Sequence, residues 1–575
     1  MSPAARRGAD LVVDALADAG VRNVFTLSGN HILSLYDATI GRGLTVLHTR
    51  HEAAAVHMAD AWGRLTDEPG VALVTAGPGH ANALSALYGA LMAESPVVLL
   101  SGHCGRGEIG QGGFQEMDQV AAARPMTKAA WLAERAETVD EDVREALAIA
   151  RSGRPGPVHV SLPGDVLDYV GGPEMAPHTP QRSERPGTPG ALLDRLADAG
   201  TPGALLDRLA DAGTPGALLD SRADSAASID AAAARDIVAA VAEAERPLIL
   251  VGPALARGPR HAAVRALAEV TGIPALPIES PRGVNDPWLR AASRCLGRAD
   301  VVLLLGKALD FSLKFGGAPF ASTTRFLQIA PDAPLPAKSA RIERSWVADP
   351  AIAAGVLAAA ARERAWRGSP WRSEVAAARL SRPAEWDALA RDVRTAMHPL
   401  AVAAALAPWV DAGAVLVSDG GEYGQWIQAA LEPRERIINN LSGSIGSAIP
   451  MALAAKLAHP RRTVLVALGD GTFGYHAFEL DTALRYGLPI VAVVGNDARW
   501  NAEHQLQLRH YGAERTVGCD LLPTRYDLVA SALGGFGVHV DRADELPRAL
   551  ERAVASGCPA VIDVAIASVP APTFS

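Results

Sequence analysis

The chain has 575 residues and a formal net charge of −9. That length exceeds what one hydrophobic core serves, so several domains are expected. Acidic and basic residues are mixed along it without the basic stripe that tracks nucleic acid, and no apolar run reaches the ~18 residues of a membrane span.

Arg6 and Arg7 are followed by an amphipathic helical pattern carrying Asp10, Asp14 and Asp18, which is not the pattern of a signal peptide. The four cysteines, Cys104, Cys295, Cys519 and Cys558, show no CxxC spacing and read as reduced thiols of a cytoplasmic protein. From about residue 8 to 172, the apolar runs Val24–Thr26, Val71–Thr75, Val97–Ser101 and Val158–Leu162 alternate with helical patterns. Such alternation predicts a parallel sheet covered on both faces. Chemistry-bearing residues sit at its turns. Gly29-Asn30-His31-Ile32 follows the first run, and Glu52 follows a strand-like Thr45–His48 and opens a helix of small residues. Read alone, Glu52 is a helix N-terminal carboxylate favoured by the helix dipole. Ala76-Gly77-Pro78-Gly79 precedes Asn82, and Phe114-Gln115-Glu116 and Pro125-Met126-Thr127-Lys128 follow.

A direct repeat comes next: Gly187 to Ala199 reads GTPGALLDRLADA, Gly200 to Ala212 is identical, and a third copy decays after Asp220. Identity between copies suggests a tandem duplication in a tolerant surface linker of weak order with no catalytic role.

A second block, about 230 to 365, has runs at Leu248–Val251, Val301–Leu305 and Phe326–Ile329. The loops Gly252-Pro253, Ser280-Pro281-Arg282-Gly283 and Gly306-Lys307-Ala308 follow strands, where a nucleotide could rest. Arg282 and Lys307 are either phosphate contacts or solvated surface charges.

The third block, about 395 to 566, is the most informative. Val464–Leu468 ends in Gly469-Asp470-Gly471-Thr472, a helical stretch follows, and Ile490–Val494 ends in Gly495-Asn496-Asp497. Parallel neighbouring strands would bring Asp470 and Asn496 to one carboxyl edge as oxygen donors for a hard cation such as Mg2+. The Gly-Asp-Gly turn suits a diphosphate. Ser418-Asp419-Gly420-Gly421-Glu422 and Asn440-Leu441-Ser442-Gly443-Ser444-Ile445-Gly446 lie earlier in this block.

This last unit resembles the metal–diphosphate motif of thiamine diphosphate enzymes, with Gly495 where the first Asn of the usual pair stands. The other segments resemble the same superfamily, which includes acetolactate synthases, benzaldehyde lyases and 2-hydroxyacyl-CoA lyases, in the family's order along nearly the whole chain. The lyases that act on 2-hydroxyacyl-CoA look closest. The resemblance implies an α/β chain of three doubly wound parallel-sheet domains: 1–172 binding the pyrimidine, a linker 173–229, a central nucleotide-binding-like domain 230–370, and 385–575 binding diphosphate and Mg2+.

It implies site residues as well. Glu52 would activate the aminopyrimidine, near the turn of Gly77, Pro78 and Asn82. Gly421 and Glu422 would belong to a second diphosphate turn. The Gly443 carbonyl would accept from the 4′-amino group and Ile445 would wedge the cofactor into its V shape, unless Ile445 is an ordinary core residue. Asp470, Asn496 and the Ala498 carbonyl would hold the metal, with Gly471 and Thr472 on the diphosphate. His31 and Gln115 resemble a substrate-contacting pair of benzaldehyde lyase; a His in that position is more often a structural cap or a polar core residue. Glu503 would shuttle a proton at the reacting carbon or be a solvated helix residue.

Cofactors implied are thiamine diphosphate and Mg2+, with ADP, a CoA nucleotide, FAD or nothing in the central domain. Partners implied are acyl-CoA and carbonyl substrates and a second copy of the chain, as a homodimer or homotetramer with sites between subunits. The expected reaction cleaves a 2-hydroxyacyl-CoA to formyl-CoA plus an aldehyde or ketone. Acetolactate synthase-like chemistry on 2-keto acids is the alternative. A non-catalytic cofactor-binding paralogue is a third possibility, against which the retention of Glu52, Asp470 and Asn496 speaks.

Overall fold

A computed structural model describes residues 6–171, 228–332, 340–366, 368–391 and 396–574. The repeat, expected as a weakly ordered linker, lies outside these described residues. The chain divides into two compact units, Met1–Ala227 and Ser228–Ser575.

The first unit holds a six-stranded parallel sheet in the order Thr45–His48, Asn23–Thr26, Gly70–Val74, Val97–His103, Pro157–Pro163, Ala129–Leu132. Its central strands are apolar at nearly every position because both faces are covered. Val71, Leu73, Val98, Leu100, Val158 and Val160 pack in one layer with residues of helices Gly8–Asp18 and Val139–Arg151. Helix Glu52–Thr66 contacts strand Gly70–Val74 and helix Pro78–Met92. Its run of alanines suits that close approach: a Cβ on Gly70 would sit 2.0 Å from the Ala59 carbonyl oxygen. The helix starts at Glu52 because His51 caps it, the imidazole accepting from the Ala53 N–H at 3.1 Å. It stops at Asp67, which adopts φ +62°.

The second unit holds two more parallel sheets. The first has the order Ala275–Pro277, Leu248–Val251, Val301–Leu305, Arg325–Ala330, Ile342–Val347. Separate apolar clusters cover its two faces, one around Ile249, Leu303 and Leu327, the other around Leu250, Val302 and Phe326. The second sheet has the order Arg436–Ile438, Val415–Asp419, Val464–Gly469, Val491–Asn496, Ala560–Ala565, Phe536–Val540. Each sheet reverses its winding after its first two strands, between Asn23–Thr26 and Gly70–Val74, between Leu248–Val251 and Val301–Leu305, and between Val415–Asp419 and Val464–Gly469, and the first and last sheets also double back at their far edge. Loops leaving the carboxyl ends of such strand pairs splay apart and open a crevice. Among the described residues no helix is long and apolar enough to cross a membrane.

A buried ionic cluster joins the two sheets of the second unit. Glu279, its side chain 3% exposed, pairs with Arg257 and with Arg436, the latter at 2.9 Å. Arg436 opens the edge strand of the last sheet. The guanidinium carbons of Arg436 and Arg379 lie 4.2 and 3.9 Å from the ring centre of Trp288. Removing one member of a buried pair leaves the other charge desolvated. Glu279→Ala is expected to destabilise the protein by about 3–5 kcal/mol, read as a lowered urea midpoint, with Glu279→Gln intermediate.

Candidate active site

In the first unit, the reversal point of the sheet gathers the residues singled out from sequence. Glu52 is 8% exposed at the first position of its helix, and the Asn82 amide donates to its carboxylate at 3.0 Å. Gly79 lies alongside; a Cβ there would come within 2.7 Å of Thr75 and 3.4 Å of the Glu52 carboxylate. Gly77 has φ +56° and lies against the backbone of Gln115, itself at φ +57°. The Gly77 N–H donates to the Gln119 side chain at 2.8 Å, and Gln119 in turn donates to Gly102 O and Ser161 Oγ.

His31 belongs to the same cluster. Its Nε2 lies 3.2 Å from the Phe114 carbonyl oxygen, which can only accept, so Nε2 carries the hydrogen. Its Nδ1 lies 3.3 Å from the Thr75 hydroxyl, and the ring stacks on Phe114. Burial lowers its pKa, so the ring is neutral at pH 7 with both nitrogens engaged. Glu116 braces the neighbouring loop. Its carboxylate accepts from the N–H groups of Gly112 and Gly113, each at 2.9 Å, and also from Gly110. These bonds knit the segment that presents Phe114 and Gln115.

In the second unit, three turns meet at the carboxyl edge of the last sheet. Gly469 and Gly495 are register partners on adjacent strands, which puts Asp470 and Asn496 side by side at the strand ends. Asp470 is 3% exposed; its carboxylate accepts from the N–H groups of Gly471 at 2.9 Å and Arg499 at 3.1 Å. Thr472 donates to Gly469 O at 2.9 Å, and its side chain lies so near Gly420 that a Cβ there would be 2.3 Å away. The turn at Gly420 (φ +72°) and Gly421 thus lies against the turn at Asp470. Glu422 follows, accepting from Gln425 at 3.0 Å and from the Ala571 N–H at 3.2 Å. Burial raises its pKa, and the charge of Glu503 adds to that rise. Glu503 itself is exposed in the first turn of helix Asn501–Tyr511.

The segment from Asn440 to Ser447 closes the group. Asn440 O accepts from the Gly443 N–H at 3.0 Å, Gly443 has φ +73°, and Ile445 is half-buried rather than a core residue. Two contacts fix its far end. His476 Nδ1 donates to Gly446 O at 2.6 Å, and the Asp419 carboxylate gathers backbone N–H groups of Gly420, Gly446, Ser447 and Ala448.

Asp497 was not distinguishable in sequence from an ordinary turn residue. In the fold its pKa is pushed up to about 7, first by burial and then by the charge of Asp470, while burial takes Asp470 to about 6. Two desolvated carboxyls, one raised further by the charge of the other, make a site in want of positive charge. The donors around it, carboxylate, the Asn496 amide oxygen and the Ala498 carbonyl, are all oxygen, the set a hard divalent cation takes. The residues present therefore fit Mg2+. The Ala498 carbonyl also accepts from the Leu521 N–H at 2.7 Å and keeps a second lone pair.

Lys307, one of the candidate phosphate contacts in the central sheet, is 1% exposed and pairs with Asp310 at 2.6 Å. Its ammonium is committed within the protein.

Two outcomes follow from this geometry. Both raised carboxyls bind protons in the native state that they release in the unfolded chain between about pH 4 and pH 7, so the ligand-free protein is expected to lose stability as pH rises through that window. Added Mg2+, which must displace those protons, is expected to raise the melting temperature more at about pH 8 than at about pH 5; an equal rise at both would contradict the assignment. Second, a Cβ on Gly495 would lie 2.5–2.7 Å from ring atoms of Tyr423. Gly495→Asn, which would restore the usual Asn pair, is expected to cost about 1–3 kcal/mol in stability by overpacking and to leave Mg2+ binding no tighter. Thermal unfolding and cation titration check both halves.

Comparison with known proteins agrees with the fold. Residues 6–122 match the thiamine pyrophosphate enzyme N-terminal TPP binding domain, 234–357 the central domain, and 419–564 the C-terminal TPP binding domain. The chain is 34% identical over 571 residues to acetolactate synthase large subunit IlvG of Mycobacterium tuberculosis, covering 96% of this chain and 94% of that protein. It is 30% identical over 558 residues to 2-hydroxyacyl-CoA lyase 2 of Homo sapiens (94% and 86%), and 30% identical over 593 residues to 2-hydroxyacyl-CoA lyase of Oryza sativa subsp. japonica (98% and 96%). Two thiamine pyrophosphate-binding domains around a central one, in a chain collinear with these relatives, make this protein a member of the thiamine pyrophosphate enzyme family, within the group that includes acetolactate synthases and 2-hydroxyacyl-CoA lyases.

Proposed function

We propose that the protein is a Mg2+-requiring lyase that cleaves a 2-hydroxyacyl-CoA to formyl-CoA and an aldehyde or ketone, and runs the reverse condensation. The observation that carries this reading is the arrangement at the metal loop. An exposed carboxylate, Glu503, lies in the first turn of the helix that follows the Asn496 loop and is near enough to Glu422 to influence its charge. Thiamine diphosphate, when bound, would supply a nucleophilic carbon for the substrate carbonyl and an electron sink for the charge left when the carbon–carbon bond breaks.

The residues divide the remaining work. Glu52, out of water and oriented by Asn82, exchanges a proton with the aminopyrimidine. Gly77, Pro78 and Asn82 shape the turn beside that ring. The Gly443 carbonyl and the Ile445 side chain would hold the rings of the cofactor. Asp470, Asn496 and the Ala498 carbonyl would hold Mg2+, which would supply positive charge for a diphosphate, and Gly471, Thr472, Gly421 and Glu422 would line the turns around it. Glu503 would take the hydroxyl proton of the substrate and deliver a proton to the formyl product. His31, neutral and hydrogen-bonded at both nitrogens, and Gln115 shape the substrate side of the cluster. The family resemblance puts the two ends of the cofactor on different subunits, so we propose a homodimer or homotetramer. The exposed side chains of Phe114, Tyr475 and Phe478 support such a contact.

Acetolactate synthase chemistry is the second reading, favoured by the 34% identity to the mycobacterial protein of that name. Product analysis separates the two. With thiamine diphosphate and Mg2+, formyl-CoA released from a 2-hydroxyacyl-CoA supports the lyase; acetolactate from pyruvate with no formyl-CoA refutes it. Under either reading Glu52→Gln is expected to lower kcat about 10²–10⁴-fold while the protein still binds cofactor.

A further inference from the structure

Asn496 and Asp563 stand at the carboxyl ends of neighbouring parallel strands, with Val494 paired to Asp563 and Asn496 to Ala565. The Asn496 amide nitrogen has two hydrogens, and both are used. One goes to the Thr524 carbonyl at 2.8 Å and the other to an Asp563 carboxylate oxygen at 2.9 Å. Both partners are acceptors, so an amide oxygen in that position would face repulsion on two sides. The oxygen must point the other way. There it accepts from the Ala498 N–H at 3.2 Å, in the loop whose next residue, Arg499, donates its N–H to Asp470. One lone pair of that oxygen is left for a cation.

Asp563 is wholly buried. Its other oxygen is 2.8 Å from Nδ1 of His539, the register partner on the sheet's edge strand. Asp527, His539 and Asp563 have ligand atoms within 4.8 Å of one another, a spacing that could itself suggest a metal site. The partners argue otherwise. Arg525 holds both oxygens of Asp527 at 2.8 Å each, and both oxygens of Asp563 already accept. Arg525 offsets the charge of Asp527, the oxygens of Asp563 are engaged, and the connection of the cluster to the rest of the site runs through the amide of Asn496.

We propose that Asp563, held by His539, is a positioning residue that fixes the Asn496 amide with its oxygen toward the divalent cation. The inference rests on Asn496 being a metal ligand. Without the carboxylate the amide nitrogen keeps only the Thr524 carbonyl, and a turned amide, with NH₂ toward the cation, meets one repelling acceptor instead of two. Groups that orient a metal ligand in this way change affinity by about 10–100-fold when removed.

The test is Mn2+ binding in the presence of thiamine diphosphate, followed through the EPR signal of free Mn2+, on the full-length protein. Asp563→Ala and Asp563→Leu both abolish the acceptor and differ in volume, so one of them guards against a failure to fold of the other. The melting temperature without metal or cofactor identifies folded variants. Either folded variant is expected to bind Mn2+ about 10–100-fold more weakly, with Asn496→Ala at least as weak. Asp563→Asn, which can still offer a carbonyl oxygen to Asn496, is expected to recover most of the loss. Wild-type Mn2+ affinity in a folded Asp563 variant, with Asn496→Ala impaired, overturns the positioning role alone. Wild-type affinity in Asn496→Ala overturns the metal assignment and this inference with it.

Discussion

Two acidic side chains drawn out of water at one strand edge set the terms for the second unit. Asp470 and Asp497 repel each other, and burial already disfavours the ionised form of each. Such an arrangement persists because the sheet and its cores hold the strand ends in place, whatever the charges prefer. The polypeptide supplies backbone N–H groups to Asp470, enough to orient it, but not a full counter-charge. That deficit is the physical ground for proposing that the edge takes a cation.

The sheets turn that local demand into a crevice. In each, the winding reverses after the first two strands, and the turns on either side of that reversal touch where one of them lacks a side chain. Gly420 admits Thr472, Gly29 admits Thr75, and Gly252 admits the backbone of Gly306. In the first and last sheets these contacts bring together residues far apart in sequence. In the central sheet the corresponding cation, Lys307, is spent on Asp310.

Much of this was legible in the residues. Leu248–Val251 and Val301–Leu305 read as strands because a strand covered on both faces is apolar throughout, and those bounds match the fold. Edge strands such as Ala129–Leu132, Arg436–Ile438 and Phe536–Val540 escaped notice; their inward pattern is short and mixed with Trp, Arg and His. Glu52, Asp470 and Asn496 stood out because each lies at a junction after an apolar run. Asp497, Asp563, His539 and Gln119 did not, since their importance comes from neighbours that only the folded chain provides. The roles of Thr75 and Glu116 were hidden for the same reason: one meets His31 across 44 positions, the other ties up glycine amides by curling back on its own loop.

Ala498 carries a methyl group at φ +51°, a conformation that glycine adopts at little cost and alanine does not. The strain is on the order of 1 kcal/mol, and the fold bears it because both flanks are tied down, by Asn496 on one side and by Leu521 on the other. A loop bent against its own preference this way stays bent in the empty protein. The carbonyl is aimed in advance, so a metal ion arriving there would find its geometry waiting and spend little of its binding energy on ordering the chain.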